Sequence, residues 1–132
     1  MNSESYGRFV IAESVHPFAH TIDILKAAIR GGGNTIFAEI DQAAAAAQVG
    51  LTLRPTTLIV FGNPKGGTPL MEAFPLFALE LPLKLLIWEE PSGVKVAYTP
   101  LRESAARYGV TGMGERIDAI DHALDALVRG VT

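Results

Sequence analysis

The sequence predicts an α+β fold built from a single helix-covered, largely antiparallel β-sheet. Short runs of β-branched and apolar residues alternate with segments of helical periodicity along the 132 residues. Two of these strand candidates flank the turn at 91–93, which is typical of an antiparallel hairpin. Because the length suits one domain, residues 1–132 are expected to form a single unit.

The first half of the chain alternates strand and helix. Residues 8–15 are rich in β-branched residues and predict the first strand, which Pro17 ends. Three apolar residues at helical spacing then predict a helix: Ile22, Leu25 and Ile29. The glycines at 31–33 end this helix, because glycine adopts a left-handed C-cap without strain. Residues 35–40 predict the second strand.

Asp41 occupies a helix N-cap position between the second strand and an alanine-rich segment. Residues 42–48 predict a short helix that Gly50 ends, since alanine is the best helix former. Residues 56–61 are almost all apolar or β-branched. They predict a central third strand that is buried on both faces.

The third strand leads directly into a segment rich in glycine and proline, and we interpret residues 63–68 as a loop. Thr68 can then act as the N-cap of the next helix. Pro69 would be the first helical residue, where a missing N–H group is tolerated. This helix is short and ends before Pro75.

The carboxyl-terminal part is predicted to contain a hairpin followed by two helices. Residues 83–89 and 94–98 predict the two strands of the hairpin. The cap-then-proline pattern recurs at 99–100 and predicts a helix as far as Tyr108. A last helix over about 113–129 carries a regular apolar stripe: Ile117, Ile120, Leu124 and Leu127. Its polar side is expected to face solvent and carries four residues: Asp118, Asp121, His122 and Asp125.

Composition argues against several classes of function. With a net charge of -3, the chain lacks the basic excess of nucleic-acid-binding proteins, so no nucleic-acid partner is expected. The absence of cysteine excludes disulfides, thiolate metal sites and cysteine nucleophiles. At 48% hydrophobic residues the chain is apolar for a small domain, which favours a homodimer that covers apolar surface.

The protein is expected to be soluble and cytoplasmic, with no membrane partner. Its most apolar stretch, residues 70–88, is interrupted by charged residues and prolines. A membrane span needs about 20 mostly apolar residues without such charges. Residues 1–8 lack a basic region followed by a long apolar run, so no signal peptide is predicted.

The strand–loop–helix segment at residues 62–71 is the best candidate for a binding site. Free backbone N–H groups, a helix N-terminus and the Lys65 ammonium would meet in one small volume, which attracts anions. The predicted ligand-binding residues of this segment are Asn63, Lys65, Gly66, Gly67 and Thr68. The spacing is not that of a phosphate-binding P-loop, and the alternative is a purely structural turn.

Glu39 and Asp41 are the second candidate pair and are also included among the ligand-binding residues. The two residues are two positions apart at the end of a strand, so their carboxylates share a face. They could act in acid–base chemistry or hold a metal. The alternative is that Asp41 caps the next helix, while Glu39 is solvated or forms a salt bridge with Lys65. His16 and His20 are interpreted as loop and cap residues, because a proline follows His16. No metal site and no cofactor are predicted.

Three short segments together resemble one known family. They are Glu39-Ile40-Asp41, Leu81-Pro82-Leu83-Lys84 and the run from Gly62-Asn63-Pro64 to Met71. In this combination the chain resembles the bacterial and archaeal family called domain of unknown function 302 (DUF302), over residues 16–108. The resemblance implies a small α+β fold, similar in outline to the TATA-binding-protein-like group, and frequent homodimers. It implies no established activity, cofactor or catalytic residue.

Three functions remain open from the sequence. The first is a homodimeric module that binds a small anionic ligand at residues 63–68. The second is an enzyme that uses Glu39 or Asp41 as the base with Lys65 as electrophilic support, which requires a desolvated carboxylate in a closed pocket. The third is a protein-interaction domain, which requires a flat apolar patch.

Overall fold

A computed structural model of the chain describes residues 3–6 and 8–132. The strands of this described part are β1 (Ser3–Tyr6), β2 (Phe9–Ser14), β3 (Thr35–Asp41), β4 (Thr56–Gly62), β5 (Leu83–Glu90) and β6 (Gly93–Tyr98). Its helices are α1 (Phe18–Gly31), α2 (Gln42–Gln48), α3 (Pro64–Ala73), α4 (Leu101–Arg107) and α5 (Gly114–Arg129), with a 3₁₀ helix at Pro75–Glu80.

All six described strands lie in one sheet, in the order β1-β2-β6-β5-β4-β3. Every pairing between them is antiparallel, which confirms the predicted fold class and the hairpin of β5 and β6. Sequence analysis did not predict β1, which pairs with β2 at one edge of the sheet. The other edge is β3, whose register shifts between Ile36 and Ala38.

The main core lies between one face of the sheet and the helices α1 and α5. Side chains alternate along a strand, so β4 presents Ile59 and Phe61 to this face. The helices contribute Leu25 from α1 and Leu124 from α5. Each of these four residues is at most 1% exposed. Burying such a side chain stabilises the fold by roughly 1.5–3 kcal/mol.

A second apolar cluster forms where α3, the 3₁₀ helix, α4 and α5 meet. Leu70 and Phe77 are fully buried there, and Ile117 of α5 packs beside them. Leu83 and Ile120 contact both clusters, so the two cores are continuous. The position of α3 is therefore tied to that of α5 through shared packing.

The prediction that β4 is buried on both faces is wrong for one of them. Thr57 and Ile59 are buried, whereas Leu58 and Val60 on the opposite face are half-buried. The strand is central in the sense that β5 pairs with one side and β3 with the other. The core-forming helices α1 and α5 pack on one face, so the continuous apolar run of β4 does not imply burial on both.

Asp41 caps α2, as predicted. Its Oδ1 atom accepts a hydrogen bond from the Ala44 N–H group at 2.9 Å, which satisfies one donor of the first helical turn. Among the described helices, none combines the length and the hydropathy that crossing a lipid bilayer requires.

The start of α4 differs from the prediction, and its cap comes from another helix. Pro100 rather than Thr99 holds the N-cap position, and no side chain there accepts a hydrogen bond. Instead, the Asp121 carboxylate accepts from the Leu101 N–H group at 2.6 Å and from the Arg102 N–H group at 3.1 Å. Asp121 is only 8% exposed, so the prediction that it faces solvent is wrong. A proline side chain has no acceptor to offer, and α5 supplies one.

Tyr98, at the end of β6, lies near the carboxylates of α5. Burial raises the pKa of Tyr98 to about 12, and the negative charges of Asp125 and Asp121 act in the same direction. The phenol is therefore held in its neutral form well above the pH at which an exposed tyrosine ionises.

Candidate ligand-binding site

The helix α3 begins at Pro64, so the predicted loop and its predicted N-cap Thr68 are wrong. Asn63 is the N-cap, and its Oδ1 atom accepts a hydrogen bond from the Lys65 N–H group at 3.0 Å. Pro64 is the first helical residue, and Pro69 lies inside the helix. The cap-then-proline signal occurs twice in this segment, and the earlier one starts the helix because asparagine is the stronger cap.

The predicted cluster of free backbone N–H groups is not formed. Pro64 has no N–H group, and that of Lys65 is bound by the Asn63 side chain. The N–H groups of Gly66 and Gly67 donate to the Asn63 carbonyl oxygen at 2.9 and 3.0 Å. The first turn of α3 thus satisfies its own donors, which removes the physical basis for a backbone anion site here.

Pro69 leaves one carbonyl group of α3 without its usual intrahelical donor. Proline has no N–H group, so the carbonyl four residues earlier, that of Lys65, lacks the donor that an α-helix usually supplies from position 69. Arg116 of α5 supplies the donor, with its Nη1 atom 3.4 Å from the Lys65 oxygen. This contact joins the first turn of α3 to the first turn of α5.

The same segment forms one wall of a half-open cavity of about 530 Å³ that is lined by residues of α1, α3, α5 and the strand ends between them. Four of the predicted ligand-binding residues line it: Asn63, Gly66, Gly67 and Thr68. Lys65 is not among the lining residues. Most of the residues predicted to bind a ligand therefore border a cavity, but they belong to the N-cap and the first turns of a helix and not to a loop.

The cavity wall is largely apolar. Its larger apolar side chains come from separate parts of the fold: Phe37, Phe61, Met71, Leu81, Leu83, Ile120, Leu124 and Leu127. Its polar side chains are Asn34, Asn63 and Thr68, and no charged side chain of the described residues lines it. Such a wall suits a molecule that is apolar over most of its surface and carries few polar groups.

Small residues of α3 keep the cavity open. A Cβ atom on Gly66 would lie 4.0 Å from Ile120 Cδ1, and one on Gly67 would lie 3.6 Å from Leu81 Cδ1. Both distances are ordinary van der Waals contacts, so close packing does not require glycine at either position. A longer side chain at Gly66 would extend from α3 toward α5 and occupy the cavity.

Glu39 and Asp41 do not line the cavity. They share a face of β3, as the predicted spacing and the observed register with β4 both indicate. The Glu39 Oε1 atom pairs with Lys26 Nζ at 2.6 Å rather than with Lys65, and Asp41 caps α2. The seven predicted ligand-binding residues therefore do not form one site.

Sequence reasoning missed the contribution of α1 and α5 to the cavity. Exposed small residues of these helices border it: Ala28, Ala123 and Ala126. The small residues Ala123 and Ala126 of α5 and its C-cap Gly130 recur at helical spacing, which is a sequence signal for a helix face without large side chains. Phe37 gave no such signal, because its role depends on the register shift in β3.

Comparison with known proteins identifies partial relatives. The fluoride-specific ion channel FluC 1 of Brucella suis biovar 1 is 43% identical over 84 residues, which cover 64% of this chain and 33% of that protein. FluC 1 of Brucella abortus biovar 1 and FluC 2 of Brucella melitensis biotype 1 match at the same 43% identity, over 31% of their length. The chain thus spans about a third of the length of these relatives.

A solved structure and a family model cover nearly the whole chain. The crystal structure of an uncharacterized conserved DUF302 protein from Bacillus stearothermophilus matches with a TM-score of 0.88, over 96% of this chain and 100% of that chain. The two sequences are 16% identical, so this likeness concerns the fold. The model of the family described as domain of unknown function DUF302 matches residues 10–127, a wider range than the sequence motifs suggested. The chain therefore belongs to the DUF302 family.

Proposed function

We propose that the protein is a homodimeric module that binds a small molecule with a largely apolar body in the cavity between α1, α3 and α5. The observation that carries this proposal is the cavity itself, with a volume of about 530 Å³ and no charged residue in its described lining. Small-molecule sites typically measure roughly 300–1,000 Å³ and combine apolar walls with a few polar groups. Burying apolar ligand surface there contributes about 25 cal/mol per Å² to binding.

The corrected geometry changes the expected ligand. A bare inorganic anion needs donors that converge on it, and the first turn of α3 uses its donors internally. The enzyme alternative needs a carboxylate in the cavity, whereas Glu39 and Asp41 are engaged with Lys26 and α2. Binding of a largely apolar molecule requires an apolar wall with a few polar groups, and the cavity has such a wall.

The ion-channel name of the Brucella relatives does not determine this proposal. The similarity extends over 84 residues and about a third of those proteins, so the activity of the whole proteins is not assigned to this chain. A ligand-binding module within a longer protein is compatible with such a partial match. The cytoplasmic location stays a prediction from the sequence.

The surface that we propose for the dimer is the outer face of the sheet, opposite the main core. The strand register places five apolar residues in one row across it: Ile11, Ala97, Leu86, Leu58 and Ile40. Phe9, on the same face, is 52% exposed, and Ile40 is 39% exposed. A second copy that covers this row would remove apolar surface from water, which drives association.

The cavity proposal is tested by filling the cavity from α3. Gly66→Leu should abolish the thermal stabilisation that decanol or decanoate gives the wild-type protein by binding the folded state. Gly66→Ala is the matched control, because it makes the same change of backbone freedom but adds only a methyl group. If neither compound stabilises the wild type, or if Gly66→Leu responds as Gly66→Ala does, the cavity is not a binding site and the interaction-domain hypothesis takes its place.

The dimer proposal is tested by placing a charge on the outer face. Ile40→Lys should convert a dimer to a monomer in sedimentation velocity at micromolar concentration, since a lysine there would be buried without a partner. Leu76→Lys is the control, because Leu76 is a 66% exposed leucine on the 3₁₀ helix, away from the sheet. A monomeric wild type, or a dimer that survives Ile40→Lys, contradicts the proposed interface.

A further inference from the structure

We propose that the molecule bound in the cavity is an anion-headed amphiphile, and that Lys65 and Arg116 hold its head group at the rim of the cavity. This inference rests on the proposed function, because the apolar tail of the ligand must occupy the cavity. It adds the chemical class of the ligand and two residues that hold its charge.

The first support is the position of the two cations beside the cavity. Lys65 lies between Pro64 and Gly66, both of which line it. Arg116 precedes the lining residue Ile120 by one helical turn, so the two share one side of α5. A ligand whose tail lies against Gly66 and Ile120 would therefore place its head near both positive charges.

The second support is that the structure places the Arg116 guanidinium against the backbone of Lys65. The Lys65 carbonyl lacks its usual helical donor because of Pro69, and the Arg116 guanidinium donates to it at 3.4 Å. Arginine carries five N–H donors, so this single contact leaves others for a ligand. An anion bound between the two positions would be attracted by both positive charges.

The third support is that neither cation is engaged in an ion pair with a residue that the structure describes. In the part of the chain that the structure describes, five cations form ion pairs, with Glu39, Glu13, Asp121, Glu80 and Asp125, and several others form none, Arg30, Arg54 and Lys84 among them. Neither Lys65 nor Arg116 takes part in an ion pair among these described residues, and both are exposed. The protein has a net charge of -3, yet two cations without ion-pair partners among the described residues lie beside its apolar cavity. This combination is complementary to an acidic amphiphile.

A carboxylate and a phosphate monoester are the two head groups that this arrangement suits. The planar guanidinium binds either of them through parallel hydrogen bonds, and the lysine ammonium adds a point charge. Both would come from molecules with an alkyl or aromatic tail, so the probes must keep one tail and vary only the head.

Calorimetric titration with four probes of identical tail tests the assignment: decanoate, decyl phosphate, decanol and decylammonium, each below its micelle concentration. At least one anionic probe should bind the wild-type protein about tenfold more tightly than decanol, with decylammonium the weakest. The tighter anion identifies the head group. Raising the salt concentration should weaken binding of the anions and leave decanol unaffected.

The variant Lys65→Gln/Arg116→Gln removes both charges and keeps a polar side chain at each position. It should bind the anions no better than decanol, with decanol affinity unchanged. Arg54→Ala is the control, because this exposed arginine precedes β4 at the end away from the cavity.

The outcomes separate the two levels of the proposal. Equal affinity of the wild type for decanol and both anions, or anion binding that survives the double substitution, overturns the head-group assignment while the cavity proposal stands. If none of the four probes binds, the cavity proposal fails and this inference fails with it.

Discussion

Replacing Asp121 with alanine should destabilise the protein by about 3–4 kcal/mol, because Asp121 caps α4 from α5. Leu101 is 2% exposed, so removing the acceptor 2.6 Å away leaves a buried N–H group unpaired. That loss costs about 2–3 kcal/mol. The Arg102 N–H group, at 3.1 Å, is closer to solvent and contributes about 1 kcal/mol. The Arg102 guanidinium adds less than about 0.5 kcal/mol, since its side chain is 60% exposed.

Two further variants separate the cap from the general effect of removing a charge. Asp121→Asn keeps one oxygen that can accept from Leu101 and should cost about 1–2 kcal/mol. Asp118→Ala removes an exposed carboxylate from the same helix and should cost less than about 0.5 kcal/mol. Urea denaturation with unchanged m-values gives the comparison. A loss for Asp121→Ala within about 1 kcal/mol of that for Asp118→Ala would show that α4 does not depend on this cap.

Three other predictions concern the helix start, the core face of α5 and the titration of Tyr98. Asn63→Ala should lower the free energy of unfolding by about 1 kcal/mol in urea denaturation, because α3 loses its N-cap. Thr68→Ala should lower it by less than about 0.5 kcal/mol. The reverse order would support the helix start expected from the sequence. Leu124→Ala should lower the free energy of unfolding by about 2–5 kcal/mol, because Leu124 is buried. His122→Ala should lower it by less than about 0.5 kcal/mol, because His122 is exposed. Equal losses would refute the assignment of Leu124 to the core face of α5. Because burial raises the pKa of Tyr98 from 10.0 to about 12, the ionised phenol is disfavoured in the folded state, and stability should fall by up to roughly 3 kcal/mol as the pH rises from 10 to about 12. Tyr98→Phe should flatten the decline in stability over that range, so parallel pH profiles of the two proteins would contradict the assignment.

The strands and helices that could be predicted are those whose own residues carry the periodic pattern. The stripe of α1 and the alternation of β6 each recur several times, and both elements form where expected. The cap of α2 could also be predicted, because Asp41 bonds to a group only three residues away. The edge strand β1 could not, since Ser3–Tyr6 has no apolar alternation and its pairing depends on β2.

Features that depend on contacts between distant residues escaped prediction. Asp121 sits on the polar side of α5 by sequence, yet it is buried because α4 lies over it and needs an acceptor. Glu39 could reach Lys65 as readily as Lys26 on sequence grounds, and the packing of α1 against β3 selects Lys26. The cavity likewise joins residues 28 to 130, and no local pattern contains that information.

The choice between two cap-then-proline signals determines the chemistry that the site can support. If α3 began at Pro69, residues 63–68 would expose backbone donors and favour a bare anion. Because α3 begins at Pro64, these donors are consumed in the first turn, and Gly66 and Gly67 become a flat helical wall beside an apolar space. Pro69 then lies inside the helix and cannot donate to the Lys65 carbonyl oxygen. The Arg116 side chain donates to this oxygen instead. One shift of a helix start thus replaces a backbone anion site with an apolar cavity that has two cations beside it. For this reason the Asn63→Ala variant should lower decanoate affinity as well as stability, since loosening the first turn of α3 disturbs both the wall and the placement of the charges.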